Sequence, residues 1–147
     1  MYNDFTTPPL ESTVKLAAAV TLCLASSVAA ASDWTVVAYN DNYRVEVQNG
    51  SVKFNKNRAG EFIVVATTRE TTLRTNNASF YQRYVTVDDC DRGAGVFVAL
   101  NLDGKFQSEH QFIFGGGTLA SHAAEAICFV GEQMAKELSK KTNDKSI

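Results

Sequence analysis

Two cysteines that remain after export constrain this chain more than any other feature of it. Of Cys23, Cys90 and Cys128, the first lies in residues 16–31 (LAAAVTLCLASSVAAA), an uncharged run that follows Lys15 and closes on the small residues Ala29 to Ala31. Such a run reads as a secretory signal cleaved at an A-x-A site. Its small and hydroxyl residues make it too short to cross a bilayer comfortably, so a retained membrane anchor is the weaker reading. Removal of residues 1–31 leaves Cys90 and Cys128. An even count in an oxidising compartment argues for a disulfide, and two thiols allow one intramolecular pairing.

Residues 1–14 make a poor signal n-region, because they carry Asp4 and Glu11 and no basic side chain. Translation from Val14 would place Lys15 next to the initiator and leave residues 1–13 untranslated. Val20, Thr21 and Leu22 lack the small residue expected just before a lipidated cysteine, which disfavours lipidation of Cys23. Organisation therefore reads as a signal region at 1–31, a single globular domain at 32–141 and a disordered tail at 142–147. The full chain of 147 residues holds 14 Lys and Arg against 16 Asp and Glu, and the leader takes only Lys15, Asp4 and Glu11 with it. A mature domain so close to neutral has no global field to attract nucleic acid.

Hydrophobic periodicity in the mature part is that of strands. Residues 34–39 (WTVVAY) are β-branched and aromatic, and Asn40-Asp41-Asn42 is a turn; residues 43–47 then alternate Tyr43, Val45 and Val47 against Arg44 and Glu46. Asn49-Gly50 is the strongest short-range hairpin signal, with Val52 and Phe54 continuing the alternation beyond it. Residues 55–60 (NKNRAG) form a polar connection. Residues 61–70 (EFIVVATTRE) begin almost continuously apolar, as a central strand does. Residues 71–79, rich in Thr and Asn, read as a loop, and residues 81–87 alternate with no clear buried face. Residues 88–95 (DDCDRGAG) read as a turn, residues 96–100 (VFVAL) as a short strand, and Asp103-Gly104 as a tight hairpin into residues 106–114. Six or seven strands joined by short turns favour an antiparallel sheet.

After Gly115-Gly116-Gly117 the period changes. Ala120, Ala124, Ile127, Gly131, Met134 and Leu138 recur at intervals of four and three between residues 118 and 139, one face of a single helix capped by Thr118 or Ser121. Cys128 lies on that face, so a bridge to Cys90 would tie the helix to the sheet. Closing a loop of just under forty residues contributes about 4 kcal/mol in the chain-entropy account, against a total stability of roughly 5–15 kcal/mol for a small domain. The fold class is α+β: an antiparallel six- or seven-stranded sheet with one C-terminal helix packed on it.

Trp34, Tyr43-Arg-Val-Glu-Val47, Tyr84-Val-Thr-Val-Asp-Asp-Cys90 and Ala123-Ala-Glu-Ala-Ile-Cys128 together make a pattern that resembles the surface-adhesin protein E family of Gram-negative bacteria. The resemblance spans most of the mature chain and rests chiefly on the two cysteines in their contexts. It implies an antiparallel sheet with a disulfide-held C-terminal helix, and adhesion to host extracellular-matrix or serum proteins. The chain has no matching lysine-rich adhesive segment, so no binding residue is carried over.

Residues that often carry chemistry have plainer readings here. His110 and Glu109 are adjacent on a strand and point to opposite faces, so they do not form a simple acid–base pair. His122 sits in the first helical turn, and neither histidine lies in a recognisable nucleophile motif. Zinc would need three or four ligands at close spacing, which the two cysteines and two histidines lack. Asp88, Asp89 and Asp91 lack the spacing and closing Glu of a calcium loop and read as a solvated turn. The glycine run has no following lysine of the phosphate-loop kind and reads as a flexible connector. No catalytic residue, metal ligand or cofactor is assigned. The expectation is a non-catalytic exported envelope or surface protein that binds a macromolecule such as host matrix or serum protein, in the periplasm, on the outer surface or secreted. The alternative is a periplasmic protein that binds a small ligand or inhibits a hydrolase.

Overall fold

The computed structural model describes residues 33–145; residues 1–31, read above as a signal, and the last two residues of the expected tail lie outside the described residues. Along the chain run β1 (Trp34–Tyr39), β2 (Tyr43–Gln48), β3 (Lys53–Lys56), β4 (Phe62–Thr72), β5 (Asn77–Thr86), α1 (Val87–Arg92), β6 (Ala94–Leu100), β7 (Phe106–Ile113) and α2 (Leu119–Asp144). The strands form one seven-stranded antiparallel sheet in the order β1-β2-β4-β5-β6-β7, with β3 also paired to β4. The architecture is the α+β one that the periodicity predicts, and Cys90 and Cys128 are disulfide-bonded with their Cα atoms 5.4 Å apart.

Asparagine side chains shape the tight turns. Asn57 Oδ1 accepts the N–H groups of Ala59 and Glu61, and Asn101 Oδ1 those of Asp103 and Lys105. The two loops use the same device, each completed by a glycine at positive φ, Gly60 and Gly104. Asn40 Oδ1 plays a similar part between β1 and β2, accepting from Asn42 and Tyr43.

At four places the chain path departs from the one the sequence suggests. Asn49-Gly50 is not a hairpin: β2 pairs with the later half of β4 and β3 with its earlier half, so residues 49–51 interrupt one long edge. Gly50 takes positive φ but Asn49 does not, which rules out the type I′ turn. Ser51 Oγ fills the gap by accepting the Thr67 N–H at 3.1 Å. Residues 71–79 are not a loop, because β4 runs to Thr72 and β5 starts at Asn77, with Asn76 at φ 54° closing the turn. Residues 88–95 are not simply a turn; they include α1, whose six residues are too few to show periodicity. Thr86 caps it by accepting from Asp89 N–H, Gly93 ends it at φ 68°, and Cys90 therefore sits on a helix. Finally, α2 continues to Asp144, so residues 142–144 are helical where a tail was expected.

The core lies between one sheet face and α2. Strand alternation sends Val45, Val47, Val64, Ala66, Val85 and Phe97 to that side, where they pack with Ala123, Ala124, Ile127 and Cys128. This settles the face of β5: Val85 is fully buried and Arg83 nearly so on the helix side. From Ala135 onward every described residue of α2 is exposed, including Leu138, which the helical period had assigned to the core. The helix outruns the sheet, and among the described residues nothing covers its last turns.

Candidate functional site

The two sheet faces present different chemistry, and each is organised by an arginine–glutamate pair. On the face away from α2, antiparallel register aligns Val36, Glu46, Arg69 and Phe80 in one row across β1, β2, β4 and β5. Glu46 is buried at 6% exposure and accepts two hydrogen bonds from Arg69, Nε to Oε2 at 2.8 Å and Nη2 to Oε1 at 2.9 Å. Arg44 Nε adds a third cationic approach at 3.5 Å. The hydrogen bonds from Arg69 hold the Glu46 carboxyl below the usual carboxylate range, against the opposing effect of burial.

Trp34 reaches over this row. Its ring lies 4.7 Å from the Arg69 guanidinium carbon and 5.8 Å from the Phe80 ring. Two guanidinium groups share one carboxylate, so the patch keeps a positive charge beside aromatic surface, with Val36 and Phe80 almost half exposed. None of these residues was singled out as a site from the sequence. The alternation of residues 43–47 places Glu46 on the polar face, but its pairing with Arg69, 23 positions away, depends on strand order.

On the helix side, a cleft of about 620 Å³ opens between the sheet and the start of α2. Tyr39, Tyr43, Phe97, His110 and His122 line it together with Glu70 and Arg83. The fold thus brings to one cleft, from β7 and α2, two histidines that the sequence left on separate elements. Both are exposed, and neither imidazole has a hydrogen-bond partner among the described residues. Glu70 is engaged by Arg83, whose Nη2 donates to Oε2 at 2.5 Å. Among the described residues no histidine–carboxylate hydrogen bond or ion pair is formed.

Other residues flagged in the sequence have structural positions. Asp89 is buried, which corrects its reading as part of a solvated turn: Oδ2 accepts the Val96 N–H at 3.1 Å and Oδ1 accepts from Arg92. Asp88 and Asp91 remain beside it on α1. Gly115–Gly117 contains an ordered turn, with Gly116 N–H donating to Ile113 O at 2.9 Å and Gly115 N–H to Glu125 Oε2 at 3.2 Å. Thr118 caps α2 by accepting the Ser121 N–H at 3.0 Å. Among the described residues no group of three or more His, Cys, Asp and Glu side chains is placed to hold a metal ion, and no helix is long and apolar enough to cross a membrane.

These features define a class, a disulfide-tied α+β domain that offers an aromatic–arginine patch on one sheet face and a mixed cleft on the other. The chain matches no family model, no curated protein and no solved structure.

Proposed function

We propose that this is a non-catalytic exported protein of the cell envelope or surface, adhesin-like, which binds a macromolecular partner such as a host matrix or serum protein. The observation that carries the reading is the Trp34–Arg69–Phe80 patch. Tryptophan and arginine dominate the energetics of protein interfaces because they combine large rigid surface with directed hydrogen bonding. Here the bidentate bond to Glu46 fixes Arg69 before any partner arrives, which lowers the ordering cost of association. The resemblance to the surface-adhesin protein E family and the secretory signal point the same way.

Biosensor measurements with the oxidised domain against immobilised matrix and plasma proteins test the proposal. Saturable binding is expected, weakened at least about tenfold by Trp34→Ala, the loss of roughly 1.4 kcal/mol or more that marks an interface anchor. Absence of saturable binding across the panel, or binding indifferent to Trp34→Ala and Phe80→Ala, overturns it.

A second reading, a periplasmic protein that binds a small ligand or inhibits a hydrolase, is favoured by the cleft, whose volume falls within the range of small-molecule sites and whose lining sets the Glu70–Arg83 pair among aromatic rings.

A further inference from the structure

The two arginine–glutamate pairs differ in one respect. Glu46 uses both carboxylate oxygens on Arg69. Glu70 uses one, Oε2, on Arg83 Nη2, and neither side chain makes another hydrogen bond or ion pair among the described residues. The pair lines the cleft, with Arg83 more than nine-tenths buried and Glu70 partly open. Glu70 therefore retains an unengaged oxygen, and Arg83 retains guanidinium N–H groups beyond Nη2. A carboxylate and a guanidinium held side by side neutralise each other, so a ligand of single net charge gains little from them. One that supplies both signs can engage each in turn. Around the pair stand flat rings, Tyr39, Tyr43, Phe97, His110 and His122, a wall suited to a planar apolar group.

We infer that this cleft binds a small zwitterion of the α-amino-acid class with an aromatic side chain. The ligand carboxylate is taken by Arg83, its ammonium by Glu70, and its ring by the tyrosines at the rim. This site lies on the opposite sheet face from the aromatic–arginine patch and stands or falls independently of the adhesion reading.

Titration calorimetry of the oxidised domain with L-tryptophan, N-acetyl-L-tryptophan and L-tryptophan methyl ester tests it, since the two derivatives each remove one charge. L-tryptophan is expected to bind saturably, and both derivatives about tenfold or more weaker. Glu70→Gln is expected to erase the discrimination against the N-acetyl form. Tyr43→Ala, a change at the exposed rim, is expected to weaken L-tryptophan several-fold while leaving the thermal melt in place, which covers the case in which Glu70→Gln perturbs the fold. Failure of L-tryptophan to saturate by about 10 mM, equal binding of all three compounds, or affinity unchanged by Tyr43→Ala overturns the inference.

Discussion

Gly131 of α2 rests directly on Val64 of β4, so closely that a Cβ built on the glycine would lie 2.9 Å from Val64 Cγ1 and 3.0 Å from Cγ2. Valine is stiff at χ1 and cannot swing away, so helix and sheet must separate to admit a methyl group. Alanine is the better helix former by about 1 kcal/mol, but overpacking costs about 1–3 kcal/mol and should win. Gly131→Ala is expected to lower the denaturation midpoint, and adding Val64→Ala should recover part of the loss. A double-mutant cycle in urea checks this; additive effects would mean the two residues do not meet.

The Asp89 carboxylate lies against Gly95, where a Cβ would fall 2.1 Å from Asp89 Cγ. This contact lets Oδ2 reach the Val96 N–H and ties α1, and with it Cys90, to the start of β6. Asp89→Ala leaves that N–H without its acceptor and should cost about 1–3 kcal/mol. Gly95→Ala should cost at least as much, because the carboxylate itself is displaced. Urea unfolding with intact disulfide measures both, and a change below about 0.5 kcal/mol for either would show that the contact is dispensable.

Much of the fold was legible because alternation and helical period are local. The strand of residues 43–47, the Asp103-Gly104 hairpin and the Ala124–Ile127–Gly131 stripe report burial directly. Asn49-Gly50 misled because hairpin chemistry describes a turn and not the strand that follows it; Ser51 takes a place in the ladder that only the presence of β4 creates. Leu138 misled because helical period carries no information about where the sheet ends. Both candidate surfaces were opaque for one reason: Glu46–Arg69, Glu70–Arg83 and the meeting of His110 with His122 all depend on which strands become neighbours, a non-local property. Cys90 and Cys128 were the exception, since two thiols left no choice of partner.

The exposed end of α2 yields a different expectation. From Ala135 on every described residue of the helix is exposed, and helical segments of this length contribute little in isolation. Truncation after Lys136 should leave the melting temperature within about 2 °C of the full domain, a change well under 1 kcal/mol. A thermal melt followed by circular dichroism checks this, and a larger fall would assign those turns a contact in solution.

Removing the disulfide should act more strongly. The bridge joins residues 38 positions apart and fastens α1 to α2. Cys90→Ser with Cys128→Ser should lower stability by about 4 kcal/mol if restriction of the unfolded chain dominates. The urea midpoint of the double variant against the oxidised protein gives the difference, and a loss below about 1 kcal/mol would deny the bridge its role in holding the helix.

Glu46 makes the domain acid-sensitive in a defined direction. Its folded carboxyl titrates below the ordinary value of 4.5 because Arg69 bonds the ionised form, so in the interval between the two values the unfolded chain holds more protons and stability rises with pH. The contribution is complete above about pH 5 and is lost as pH falls through the folded value. Glu46→Gln keeps the size of the side chain but gives up the charge-assisted bonds, and should cost about 1–3 kcal/mol at neutral pH. Urea midpoints of the two proteins between pH 7 and pH 2.5 should therefore run at a constant separation in the upper part of that range and converge in the lower. A separation that persists unchanged to the acid end would mean that the Arg69 bonds do not distinguish the charged carboxylate, and that Arg69 is not held ready on the sheet face by Glu46.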